Sequence, residues 1–423
     1  TSLPAITLEV ASASQTVEVT DTLAAVQTGT FEVAQTVTQA QVENLPALDR
    51  QMSNPFATQA GVGSNGRSVT VINGLRPSYA NVLLDGVNIQ DVVRTNSLDY
   101  IPNKLTIGQV AELTVSSSNS NSTIGGNATT ISLSTPSGTN EFHGNAYWYN
   151  RNSKFGANDW FNNKNSVDRP FLNLNQLGGS IGGPIIKDKL LFFANYEAYR
   201  QRQSTPTTNT ILTPEARQGN LRYRDANGAL QSYNVLKPFA LSVDPFIQKM
   251  LSDMPQTGNT SDVGDGLNTT GYAFNARSNN TRDNVTGKVD YYLSSKNAFS
   301  GSYIYNRDLV DRPDLGTFFT AVPPVFNDNY SNFMSASWRW NPRPTLTNEL
   351  RGGFNISPST FQTTLADPAF YVTNASLLWT SPYSEYRPEG RTVKAFSIQD
   401  NANWIKGRHS VSFGFQANIW RNP

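Results

Sequence analysis

A period-two alternation of apolar and polar residues, recurring through residues 138–423, constrains this chain more than any other feature. Across residues 411–420, Val411, Phe413, Phe415, Ala417 and Ile419 oppose Ser412, Gly414, Gln416 and Asn418. Leu350, Gly352, Phe354 and Ile356 oppose Glu349, Arg351, Gly353 and Asn355. Val289, Tyr291 and Leu293 oppose Lys288 and Asp290, and Met334, Ala336, Trp338 and Trp340 oppose Ser335, Ser337 and Arg339. Successive side chains of a strand point to opposite faces, so each segment carries one apolar and one polar face. Several segments run to ~9–11 residues, the length of a tilted membrane strand, where a soluble sandwich averages ~5–6. Short links pair them: residues 294–297, 341–344 and 406–408. Long polar segments separate the pairs: 202–280, 308–329 and 357–389. Short turns at one end, long loops at the other, and one face each for lipid and water predict a transmembrane antiparallel β-barrel. Aromatics near strand ends, at Tyr147-Trp148-Tyr149 and Trp338 to Trp340, sit where an interfacial girdle needs them. The competing reading is a soluble antiparallel sandwich or lectin-like domain with the same alternation turned into a core.

Composition excludes several classes. The chain has 423 residues, a net charge of +1 and a mean hydropathy of −0.42. Its length suggests two or three domains, and its neutrality gives no argument for nucleic acid as a partner. With no cysteine there are no disulfides and no thiolate metal sites, which fits an oxidising compartment. No apolar run approaches the ~18 residues of a helical span; the longest is Leu190-Leu191-Phe192-Phe193-Ala194. Hydropathy alone would place the chain in water, but barrel strands hide their apolar face by alternation. A start at Thr1 implies a mature or trimmed product.

Ahead of the alternating region lies a smaller unit. Two short β-type runs, Val69–Ile72 and residues 81–84, end in Asn73-Gly74 and Asp85-Gly86. These dipeptides tolerate positive φ and turn a chain tightly. Residues 31–44 read as helical, with Val33, Val37 and Val42 loosely spaced and Pro46 as the stop. Strands follow at 110–116 and 128–134, around a Ser/Asn-rich turn with Gly125-Gly126. Residues 23–137 thus read as a small mixed α+β domain.

The order of these pieces resembles the plug domain of TonB-dependent outer-membrane transporters. The carriers are Asn73-Gly74, Leu83-Leu84-Asp85-Gly86, the phrase from Gln109 to Val115, and Ile124-Gly125-Gly126 leading to Thr135-Pro136. Thr135-Pro136 stands where a basic residue is usual, a departure from the pattern. Gly138-Thr139-Asn140-Glu141-Phe142-His143-Gly144 is similar to the start of the barrel in Oar-like receptors. The run from Asn175 through Gly182-Gly183-Pro184 to Lys187-Asp188-Lys189, then Phe192-Phe193-Ala194-Asn195-Tyr196-Glu197, is the most specific local match. Residues 1–22 resemble the end of a carboxypeptidase regulatory-like β-sandwich. Within them Val17, Glu18, Val19 and Thr20 are either a TonB-coupling segment, lent as an added strand, or simply the last strand of that sandwich.

The resemblance implies a mainly β protein, with a small α+β plug domain followed by part of a transmembrane antiparallel β-barrel over 138–423. It implies the outer membrane of a Gram-negative bacterium, lipid around the barrel, the TonB complex of the inner membrane as a partner, and import of an extracellular ligand bound on plug apices and loops. Asn73, Gly74, Arg76, Leu84, Asp85 and Gly86 carry over as the structural plug motif, Arg67 and Arg76 as partners of lumen carboxylates, and Glu43, Asp49 and Arg50 as part of an opening turn. About nine strands follow residue 140, where plugged transporters have ~22. The expectation is the N-terminal portion of a longer protein, or a fragment completed by another chain. The ligand is not readable.

No catalytic constellation stands out, so no enzyme, cofactor or metal is expected. His143 and His409 both start strands, which favours a turn role over a metal pair. Residues 61–66 approximate a phosphate-binding glycine pattern without its strand and helix. Residues 262–266 resemble a calcium loop with incomplete spacing. Two rivals remain: a non-transporting outer-membrane adhesin or structural surface barrel that kept the plug, and a soluble carbohydrate-binding or hydrolytic β-protein.

Overall fold

The computed structural model describes residues 33–38, 61–64, 69–93, 101–118, 129–158, 169–364, 379–383 and 386–421, with single positions 41, 52, 160 and 163 between them; residue 159 lies outside. All belong to the unit Glu32–Pro423. Residues 1–22, with Val17, Glu18, Val19 and Thr20, lie outside the described residues, as do Glu43, Asp49, Arg50 and Arg67.

The small domain is built from β1 (Val33–Thr38), β2 (Val62–Ser64), β3 (Val69–Ile72), β4 (Ala80–Leu84), β5 (Val87–Asn88), β6 (Glu112–Ser118) and β7 (Thr129–Ser134). Five strands form one sheet in the order β1-β6-β7-β4-β5, with β4 and β7 parallel and the other pairs antiparallel. β2 and β3 pair separately. The helical expectation for 31–44 fails at β1: Val33, Thr36, Val37 and Thr38 are β-branched, and pairing with β6 decides their state. Both dipeptides turn as expected. Asn73 and Gly74 have φ of 47° and 79°, Asp85 and Gly86 of 44° and 82°, and the second pair closes the β4–β5 hairpin.

The wall comprises β8 (His143–Asn152), β9 (Leu172–Ile186), β10 (Leu190–Leu212), β14 (Asn280–Ser294), β15 (Asn297–Asp311), β16 (Val325–Arg343), β17 (Leu346–Thr363), β18 (Glu389–Lys406) and β19 (His409–Arg421). These nine strands follow one antiparallel path among the described residues. Three further strands, β11 (Asn220–Arg224), β12 (Leu230–Asn234) and β13 (Thr269–Arg277), lie between β10 and β14 in sequence. The strands are longer than alternation suggested, because polar pairing continues past any membrane. At ~3.3 Å per residue, the 23 residues of β10 span about 75 Å, and their last nine pair with β13. Residues 202–212, 269–277, 308–311, 325–329 and 357–363 are therefore strand, not loop.

Outward side chains are apolar, with Met334, Trp338, Trp340, Val289, Tyr291 and Leu293 all exposed. Near the short turns Phe299 stacks on Trp338 at 6.2 Å, and Trp340 lies 6.2 Å further along. This is the expected aromatic belt. The Tyr147-Trp148-Tyr149 expectation needs correction. Tyr147 points inward to the buried Glu197, and the Tyr149 ring shares its face at 5.5 Å.

Beyond the loop end, residues 213–268 fold into a small module. α1 (Pro214–Arg217) is capped by Thr213, and α2 (Pro245–Ser252) by Asp244. Ile211, Leu212, Ala216, Leu251 and Met254 form its core with Phe319 and Trp379 from two other loops. The Arg217 guanidinium donates to the carbonyls of Leu212 (3.1 Å), Leu251 (2.7 Å) and Pro255. Asp265 spends its carboxylate on the amides of Leu267, Asn268 and Thr269, so the 262–266 motif is a turn cap. Tyr383 donates to Asp253 at 2.8 Å and ties in the β17–β18 loop. Burial and that carboxylate push the Tyr383 phenol up to about 12, while the phenol's hydrogen bond pulls Asp253 below its ordinary value. A phenol raised from ~10 contributes stability fully present below pH ~10 and lost as pH rises through about 12. The depressed carboxylate contributes stability present above pH ~4 and lost as pH falls below that. Tyr383→Phe should therefore cost ~1 kcal/mol of loop stability between pH 5 and 9. Limited proteolysis at residues 379–388 should then run several-fold faster than in the parent, with the difference vanishing above pH 12. Equal rates at neutral pH would show that the contact does not hold the loop.

Candidate functional site: the small-domain interface and the mouth cavity

Six consecutive wall strands touch the small domain with one face, which requires the sheet to curl around it. Gly108 lies against Asn195 of β10, where an added Cβ would stand 2.9 Å from Nδ2. Gln109 donates to Thr286 of β14 at 2.8 Å and accepts from Asn306 of β15 at 3.1 Å. Asn103 and Asn355 of β17 exchange amide hydrogen bonds at 3.1 and 2.8 Å. The Asn88 amide donates to Ser397 of β18 at 3.1 Å. Ile304 and Phe333, both fully buried, point inward and join the small domain's own core. The inward face was expected to meet water; among these strands it meets protein, through hydrogen bonds from Gln109, Asn103 and Asn88 to wall side chains.

The Asp85-Gly86 turn is the anchor of the interface. The Asp85 carboxylate accepts from the Thr135 amide (2.9 Å), the Thr135 hydroxyl (2.7 Å) and Ser302 of β15 (2.7 Å). Its carbonyl accepts from Ser335 of β16 at 3.0 Å. A Cβ on Gly86 would meet the Arg351 side chain at 2.8 Å, so glycine serves both the positive φ and the close approach. Thr135 donates through its hydroxyl to Asp85, and Lys288 of β14 donates to the Thr135 carbonyl at 2.8 Å. Below the turn a polar cavity of about 510 Å³ is lined by Glu112, Lys288, Asp290, Arg339 and Arg351 among others.

Other motif residues fall elsewhere. Leu84 is fully buried in the small domain's core. Reciprocal backbone hydrogen bonds between Ile72 and Leu75 at 2.9 Å close the Asn73-Gly74 turn, and the Asn73 backbone amide donates to the Gly61 carbonyl at 2.7 Å. The Arg76 side chain is exposed and makes no ion pair among the described residues. Asp91 with Arg391 of β18 is such a pair: the Asp91 carboxylate is 1% exposed and Arg391 donates through Nε (3.1 Å) and Nη2. Asp91 follows shortly after the Asp85-Gly86 turn, but a partner 300 residues away leaves no local signal.

The β8–β9–β10 signature is structural. Gln176 donates to Glu197 at 2.7 Å and Tyr147 donates to the same carboxylate. A Cβ on Gly178 would stand 2.7 Å from the Tyr147 hydroxyl, and one on Gly138 2.2 Å from the Phe192 carbonyl. Asn140 holds the Asp188 turn, accepting from its amide at 2.8 Å. His143 starts β8 and His409 starts β19, as read from the sequence.

At the loop end, a second cavity of about 210 Å³ opens between the small domain and β15–β18. Asp91, Ile101 and Lys104 line one side; Asp308, Arg312, Asn327, Asn329, Ser357, Phe361 and Arg391 line the other. The sequence offered no pointer to it, since its residues come from six separate segments.

Residues 134–423 match the family model described as an outer membrane beta barrel domain. The chain belongs to this family. The barrel lies in the outer membrane of a Gram-negative bacterium, and its lipid-facing band is the outward apolar face described above. Among solved structures, the barrel with its small domain is similar to the outer membrane transporter YddB of Escherichia coli, at 11% identity and a TM-score of 0.55, over 92% of this chain and 48% of that one. A mutant of the ferric enterobactin receptor PfeA of Pseudomonas aeruginosa matches at 12% and 0.54, over 92% and 49%. The siderophore receptor PirA of Acinetobacter baumannii matches at 10% and 0.51, over 90% and 46%. At such identities the likeness shows the fold. The chain spans about half the length of the structures it matches. No curated protein matches it.

Proposed function

We propose that this outer-membrane barrel is a TonB-dependent receptor of the Oar-like type, in which residues 23–137 are the plug and an extracellular ligand is imported past it. The docking of the small domain against six wall strands carries this reading, because a domain held inside a barrel blocks it until moved. The fold shared with a transporter and two receptors supports the same role. Further strands are needed to join β8 to β19, since an open sheet edge in lipid leaves backbone groups unpaired at several kcal/mol each. Substrate binds from the loop end, at the mouth cavity and the 213–268 module. The TonB complex of the inner membrane pulls on residues 16–22, and the plug rearranges.

The test needs no ligand. The periplasmic domain of TonB should bind the detergent-solubilised full-length protein, and deletion of residues 16–22 or Val19→Pro should abolish binding, since proline cannot pair as an added strand. Binding that survives both changes would leave the adhesin or structural-barrel reading as the better one.

A further inference from the structure

We propose that the mouth cavity binds an anionic, hydroxyl-bearing group, the chemistry shared by sugar acids and sugar phosphates, and that this group takes Arg391 away from Asp91. The inference rests on the receptor reading above and names the ligand class of the same site.

Three cations line the cavity, Lys104, Arg312 and Arg391, against two carboxylates, Asp91 and Asp308. Asp308 is matched from behind by Arg282 of β14 at 2.8 Å. Arg312 is oriented in advance. Its guanidinium lies 5.3 Å from the Phe361 ring centroid and forks onto Asp314 at 2.7 and 2.6 Å. Asp314 is 61% exposed, so that pair is weak and exchangeable. Two guanidinium forks on one cavity suit a carboxylate or phosphate, whose oxygens accept paired N–H donors.

The amide chain beside them calls for a donor. Asn327 Nδ2 donates to the Thr360 carbonyl at 2.9 Å, which makes Asn327 Oδ1 an acceptor. Asn329 Nδ2 donates to it, and this fixes the orientation of Asn329. Asn329 Oδ1 is then buried with no hydrogen-bond partner among the described residues, an unfavourable state that a ligand hydroxyl would relieve. An anion at Arg391 also has a mechanical consequence. Asp91 lies three residues beyond β5, in the segment that begins at the Asp85-Gly86 anchor, so releasing it loosens the plug from the mouth downward.

These 423 residues hold no cysteine, so Val93→Cys in a full-length protein cleared of any cysteine beyond them gives a single thiol beside Asp91 for an environment-sensitive fluorophore. Glucuronate and glucose 6-phosphate would be titrated at fixed ionic strength, with glucose and chloride as controls. At least one anion should give a saturable signal and the controls none; which anion responds tells the carboxylate source from the phosphate source. Arg391→Gln and Arg312→Gln should each weaken binding tenfold or more. Asp91→Asn should tighten it several-fold by weakening the internal competitor, a gain that misfolding cannot mimic. No saturable response to either anion, or one unchanged in both arginine variants, overturns the proposal. If TonB-domain binding persists in that case, the receptor reading stands and the anion inference alone fails.

Discussion

Replacing Asp85 with alanine is expected to lower the hydrogen-exchange protection of the β4–β5 hairpin amides by about two orders of magnitude. The carboxylate accepts three hydrogen bonds at 2.7–2.9 Å from Thr135 and Ser302. Thr135 is 2% exposed and Ser302 5%, so their donors would be left without water as a substitute. Each orphaned buried donor costs ~1–3 kcal/mol, and a total of ~3 kcal/mol corresponds to roughly 100-fold in a local opening equilibrium. Wall amides should keep their protection, because the strand ladders do not pass through Asp85. Asp85→Asn keeps an acceptor and should lose far less. A uniform fall across plug and wall, or no change in the hairpin, would mean that the turn is not the anchor.

Gly353→Val is expected to prevent assembly of the folded barrel. A Cβ at this position would stand 2.1 Å from the Met334 carbonyl oxygen and 2.6 Å from Val87 Cγ2. The carbonyl belongs to β16 at the β16–β17 seam, where Ser335 pairs with Gly353 and Met334 with Phe354, so it cannot yield without breaking that register. Val87 is fully buried in the small domain's core and cannot yield either. Overpacking of this kind costs ~3 kcal/mol or more. Gly287 of β14 supplies the control, since a Cβ there meets nothing within 4 Å; Gly287→Ala should change stability by less than ~0.5 kcal/mol. The comparison is read as the fraction of protein that changes mobility on boiling. Equal fractions for both variants would contradict the tight plug–wall seam at Gly353.

What was legible in the sequence was local. Alternation at residues 288–293, 334–340 and 411–420 gave the outward face, because period two is a property of a few consecutive residues. The Asn-Gly and Asp-Gly turns were legible because positive φ selects those residues. Strand ends were not: at 204–210 and 357–360 the residues are Ser, Thr, Asn and Pro with no apolar alternation, and only pairing with β13 or β18 makes them strand. Residues 33–38 carried valines at both helical and strand spacing, and β6 settled the choice. The site was least legible. Arg76 looked like the lumen cation because it sits in the motif, whereas Arg391 makes the contact from 300 residues away. Gln109 and Asn355 look like ordinary polar residues until the wall places them opposite their partners.

The central claim is that the small domain sits inside the wall as a plug. A single measurement tests it directly: Asn103→Cys with Asn355→Cys in the full-length protein, treated in isolated outer membranes with a short thiol–thiol crosslinker. The two native amides hydrogen-bond each other at 2.8 and 3.1 Å, residues 1–423 hold no cysteine, and any cysteine beyond them is replaced by serine. The account predicts a near-quantitative internal crosslink that locks plug to wall, seen as an altered mobility of the denatured chain. Two cysteines that stay uncrosslinked and each react freely with a bulky maleimide in the native membrane would contradict it.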